Sequence, residues 1–130
     1  MRYIFSSLFA LALAVLIVPD AAKAASIAGG WRGDGLVHLK SGRAEKIRCR
    51  IRYEKSSGRT LVVHVTCAHA HGVFKTSGRI VKLSNTRYSG RLYSEQFDVA
   101  GNVTVNVRGN RQSVRATSSK GWASVNLTRQ

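Results

Sequence analysis

Two cysteines placed symmetrically about one glycine constrain this chain more than any other feature. Cys49 and Cys67 are its only cysteines, and Gly58 stands midway between them. The flanking segments alternate. Ile47, Cys49, Ile51 and Tyr53 share one side of the first, with Arg48, Arg50 and Arg52 on the other; Leu61, Val63, Val65, Cys67 and His69 share one side of the second. Alternation of this kind, rich in β-branched residues, marks half-buried strands. A turn at Ser57-Gly58 sets Tyr53 opposite Val63, Ile51 opposite Val65 and Cys49 opposite Cys67. Directly opposed residues of an antiparallel pair approach closely enough for a bridge, so a Cys49–Cys67 disulfide is expected. It would fix the register, since a slip of one residue turns every side chain to the wrong face.

A structural disulfide needs an oxidising compartment, and the first residues supply the address. Arg2 is followed by the apolar run LFALALAVLIV, ended by Pro19 and Asp20, and Ala22-Lys23-Ala24 offers small residues two apart. These are the three regions of a secretory signal peptide. The run is shorter than the roughly 20 residues needed to span a bilayer. Cleavage after Ala24 is expected, making residues 1–24 a signal peptide and 25–130 one exported domain with no transmembrane segment, periplasmic or secreted. Removing Arg2, Lys23 and Asp20 lowers the net charge by one, from +15 to +14.

Beyond residue 25 no sustained helical spacing occurs. Eight strands are predicted, at 30–40, 45–55, 60–70, 73–83, 87–95, 102–108, 111–118 and 122–129, separated by short turns that imply antiparallel neighbours. An all-β up-and-down barrel follows, because closure removes exposed edges; a two-sheet β-sandwich is the alternative. Val103, Val105, Val107, Ala123, Val125 and Leu127 are assigned to the interior. Gly33, Gly35, Gly78 and Gly90 are the positions expected to leave room inside, and pocket against packed core stays open.

The strong positive charge points to anionic partners, and Arg48, Arg50 and Arg52 form a stripe suited to phosphate or carboxylate. A solvated barrel exterior is the competing reading of the same stripe. No interleaved aromatic platform is evident, so a specific nucleic-acid module is not expected. Cys67, His69 and His71 recur at alternate positions. His69 and His71 are therefore an alternative metal pair, opposed by oxidation of Cys67 and by the nearness of His71 to a turn; no metal or other cofactor is expected. Neither a Gly-x-Ser-x-Gly elbow, a P-loop, a Cys-x-x-Cys motif nor a close carboxylate pair occurs, so the chain is read as non-enzymatic. A monomeric binding module for an anionic envelope component or a small ligand is expected. A protein-interaction or inhibitor module and a metal-binding protein are the alternatives.

Gly29-Gly30-Trp31 opens the first strand and resembles the calycin barrels, lipocalins and avidins. That resemblance implies that Trp31 closes one barrel end against a basic residue near the end of the last strand, here Arg129. The segments GGWRGDGLVHLKSGRAEKIRCRIRY, TLVVHVTCAHAH and YSGRLYSE resemble a group of small, largely uncharacterised exported proteins of alphaproteobacteria. Trp31, Glu45, Arg48, Cys49, Arg50, Tyr53 and Cys67 carry the pattern. It implies a periplasmic address and the disulfide, and no activity.

Overall fold

The computed structural model describes residues 26–130. The expected signal peptide, 1–24, lies outside the described residues. The strands are β1 (Gly29–Leu39), β2 (Ala44–Ser57), β3 (Thr60–His69), β4 (Gly72–Ser84), β5 (Arg87–Ser94), β6 (Val99–Arg108), β7 (Arg111–Ser118) and β8 (Gly121–Arg129). Each pairs antiparallel with the next, and β8 returns to β1, so the sheet closes as an up-and-down barrel. Closure satisfies the outer hydrogen-bonding edges that a sandwich would leave open. No helix of the described residues is long and apolar enough to cross a membrane.

Local chemistry sets the turns. Gly58 and Gly109 adopt φ of +53° and +57° as the first central residues of two-residue turns closed by Ser57–Thr60 and Arg108–Arg111. A type II′ turn needs glycine there, because an L side chain disfavours that φ. The β2–β3 register pairs Cys49 with Cys67, Ile51 with Val65 and Tyr53 with Val63, and a bulge near Lys55 to Ser57 absorbs the turn. The two cysteines are bonded, with Cα atoms 4.1 Å apart. The largest difference from the predicted strands is in β6, which begins at Val99 and not at residue 102. Gly101 is paired into the ladder on both sides, although its composition reads as turn.

Burial follows the alternation. Ile47, Cys49, Ile51 and Tyr53 are buried while their neighbours face solvent, and Val103, Val105 and Val107 repeat the pattern. The packed core gathers toward one end. Trp31 (0% exposed), Tyr53, Tyr88, Ile80 and Leu127 fill the cross-section, and Ile27, ahead of β1, covers them.

The glycines expected to open the interior do not. A Cβ on Gly33, Gly35, Gly78 or Gly90 would collide with backbone of the adjoining strand, at Asn126, Ser124, Arg91 and Arg79 respectively. These positions allow β1 to approach β8, and β4 to approach β5, closely enough for the barrel to coil shut. The space lies elsewhere.

Candidate ligand-binding cavity

One barrel end is sealed by a bonded plug. The Trp31 indole Nε1 donates to Ile27 O at 2.9 Å. The Arg129 guanidinium lies 4.5 Å from the Trp31 ring centroid and donates to Ala28 O at 3.1 Å and Ser26 O at 2.9 Å. The geometry thus ties the first and last strands to the chain segment crossing the end. Beneath it, Tyr53 Oη donates to Gln112 Oε1 at 2.5 Å. Burial, with the Tyr88 phenol adding to it, pushes the Tyr53 phenol well above its usual range. Burial also raises Tyr88. These tyrosines are neutral hydrogen-bonding groups at physiological pH.

The other half of the barrel is hollow. A cavity of about 450 Å³ opens at the end formed by the β1–β2, β3–β4, β5–β6 and β7–β8 connections. Ile47, Ile51, Val65, Val114 and Val125 line it, with the Cys49–Cys67 bridge in its wall. Phe74, Leu92 and Phe97 add apolar surface toward the mouth. Phe97, in the β5–β6 connection, is 49% exposed. The room arises from small inward side chains late in the chain: Ala116, Ser118 and Ala123 line the same space, whereas a Cβ on Gly101 or Gly121, which also border it, would strike adjoining backbone. Those residues are the signal in the sequence that would have located it.

Polar groups are few and sit on this apolar wall. Ser94 is buried on the inner face, and its Oγ has no hydrogen-bond partner. Glu45, a carboxylate among the lining residues, lies 3.4 Å from Arg43 Nη2 and 3.8 Å from His69 Nδ1. His69 Nδ1 also accepts from the His71 backbone N–H at 3.3 Å. A cavity of this size and lining suits a small apolar molecule with few polar groups.

The other sequence-derived residues divide between this cavity and the outer wall. His69 ends β3 and lines the cavity, whereas His71 has left the strand for the turn, and their ring centroids are 6.0 Å apart. Cys67 is held in the disulfide and offers no thiolate. Among the described residues no group of three His, Cys, Asp or Glu is placed to hold a metal ion. Arg48, Arg50 and Arg52 are on the exposed outer wall. Arg48 Nε pairs with Asp34 Oδ1 at 3.0 Å, Arg50 stands opposite Arg32, and Arg52 stands between Gly30 and His64. The outer wall also carries an aromatic stack absent from the sequence reading: the His38 and Trp122 rings are 3.9 Å apart, with Arg115 4.4 Å from the Trp122 ring. Arg115 and Trp122 share the β7–β8 hairpin, whereas His38 is distant in the chain and reaches Trp122 only through the β1–β8 pairing.

No family model and no curated protein matches the chain. Among solved structures it is similar to designed β-barrels. A redesigned barrel, mFAP1, bound to DFHBI, has a TM-score of 0.68 at 13% identity, over 85% of this chain and 100% of that one. A second, EF1p2_mFAP2b bound to DFHBI, gives 0.70 at 10% identity, over 85% and 97%. A de novo designed fluorescence-activating barrel gives 0.63 at 20% identity, over 87% and 100%. At these identities the likeness is one of fold.

Proposed function

We propose that this chain is an exported, non-enzymatic module that holds a small apolar molecule in the open half of its barrel. The observation that carries the reading is the 450 Å³ cavity, walled by aliphatic side chains and open at one end. An eight-stranded barrel is wide enough for one small ligand where its interior side chains are small. Two similar designed barrels are bound to DFHBI, so this architecture accommodates such cargo. The Cys49–Cys67 bridge supports an oxidising compartment, as do the signal-peptide pattern and the resemblance to exported alphaproteobacterial proteins.

Titration with N-phenyl-1-naphthylamine, a neutral apolar fluorophore, tests this. Saturable enhancement at one probe per chain is expected. Ala116→Phe or Ala123→Phe, which fill the cavity, should weaken binding at least about tenfold, equivalent to about 1.4 kcal/mol. Absence of saturable binding, or binding indifferent to both substitutions, overturns the reading.

A second reading concerns the exterior: the basic surface meets an anionic envelope component. The observation favouring it is the register, which sets Arg32 directly opposite Arg50 and Arg79 opposite Arg91. Like charges in direct opposition are unfavourable unless a counter-anion relieves them.

A further inference from the structure

The positive charge is not spread evenly along the barrel axis. Three hairpin turns form the closed end, and each is flanked by cations on both sides: Lys55 and Arg59, Lys82 and Arg87, Arg108 and Arg111. The turns are joined side by side through backbone hydrogen bonds. Lys82 N–H donates to Arg59 O at 2.9 Å, and Val107 N–H donates to Thr86 O at 2.8 Å. Arg108 and Arg111 are direct cross-strand partners. Among the described residues, none of these cations lies within ion-pair distance of a carboxylate. The one carboxylate near these turns, Glu54, faces His64 Nε2 at 4.0 Å, whereas at the open end Glu45, Glu95 and Asp98 accompany Lys40, Arg43 and Lys120.

The closed end also has a recess. A groove of about 320 Å³ runs between the first two turns, with Lys55, Arg59 and Lys82 among its lining and no acidic residue. Ser84 and Asn85 add polar groups, while Leu61 and Tyr88 supply apolar surface. Leu83, next to Lys82, is 57% exposed. Cations bracketing an exposed leucine match the interface of an anionic bilayer, where phosphate oxygens lie above acyl chains.

We propose that the closed end is a docking surface for an anionic lipid bilayer, with headgroup phosphates bound around the Lys55–Arg59–Lys82 groove and Leu83 dipping below them. The proposal rests on the exterior reading above and is independent of the cavity. It moves the contact from the Arg48–Arg50–Arg52 wall to the barrel end. Docked this way, the barrel presents its cavity mouth to the aqueous side.

The test is co-sedimentation of protein purified from the exported fraction with phosphatidylcholine vesicles, with and without one-quarter phosphatidylglycerol. Binding to the anionic vesicles alone is expected, and salt should release it. The triple variant Lys55→Glu, Arg59→Glu, Lys82→Glu should lose at least about tenfold in partitioning, and the equally charged Arg48→Glu, Arg50→Glu, Arg52→Glu less than about threefold, because charge near a membrane acts within a Debye length. The glutamine version of the closed-end triple should show the same order of loss if the glutamate version fails to fold. Leu83→Ser should weaken binding without changing thermal stability. Equal losses in the two triples would reduce the effect to net charge and overturn the docking orientation while leaving the exterior reading intact. No preference for anionic vesicles would overturn both. Saturable binding of inorganic phosphate, lost in the closed-end triple, with no partitioning onto the anionic vesicles would identify a soluble-phosphate site and overturn bilayer docking.

Discussion

At the closed end, Trp31, Tyr53 and Tyr88 fill the barrel cross-section, and Arg129 ties the plug to the backbone of Ser26 and Ala28. At the open end, β7 and β8 carry Ala116, Ser118 and Ala123 around an open cavity. The closed half gains cohesion from packing and buried hydrogen bonds. The open half lacks interior filling and is held by its ladder hydrogen bonds and by the Cys49–Cys67 staple in the cavity wall. A barrel can leave part of its core vacant when another constraint prevents that part from collapsing or slipping.

The comparison can be broken most forcefully at the plug. Trp31→Ala should cost about 3–5 kcal/mol through lost burial and a residual void, read by chemical denaturation. A cost below about 1 kcal/mol would show that the closed end does not depend on its filling. Replacing both cysteines by serine should cost about 3 kcal/mol in the chain-entropy account of a short loop. If this exceeds the Trp31→Ala cost, the staple and not the plug dominates stability, and the contrast must be redrawn.

A smaller effect tests the buried polar contact. Tyr53→Phe should cost about 1–3 kcal/mol, because it leaves Gln112 Oε1 without its donor; adding Gln112→Leu should recover part of that loss. The same tyrosine gives a pH signature. Its phenol holds its proton in the folded state beyond the unfolded value of about 10. Above that pH the unfolded chain binds fewer protons than the folded one, so the contribution of Tyr53 to stability declines as pH rises. Denaturation midpoints across the alkaline range should therefore fall less steeply in Tyr53→Phe. The smallest change belongs to the outer wall. Arg48→Ala removes a mostly exposed pair with Asp34 and should shift stability by less than about 1 kcal/mol. A larger shift would mean that the wall contributes materially to the fold.

Much of this architecture was legible in the chain because strand alternation and hairpin symmetry are local. The positions of Cys49 and Cys67 around Gly58 identified their pairing and register, and the short glycine-marked turns indicated sequential antiparallel strands. The cavity was less legible because it depends on neighbours across the closed sheet. Gly33 and Gly78 suggest vacant space in their own strands, yet nothing in those strands shows how closely the adjoining backbone approaches; here a side chain would strike it. Ala116 and Ala123 look ordinary in their own strands and become significant only as direct partners on the cavity wall. The Arg48–Arg50–Arg52 stripe was visible as alternation, but the concentration of charge at one end emerges only when three distant turns are assembled.

The plug has a consequence for traffic. A tube stoppered by Trp31 has the form of a cup and not of a conduit: under the proposed function, cargo would leave by the aperture through which it came, and a second molecule would be unable to displace the first by pushing from behind. Delivery from such a vessel would be paced by escape of its occupant, with Phe97 standing at the rim.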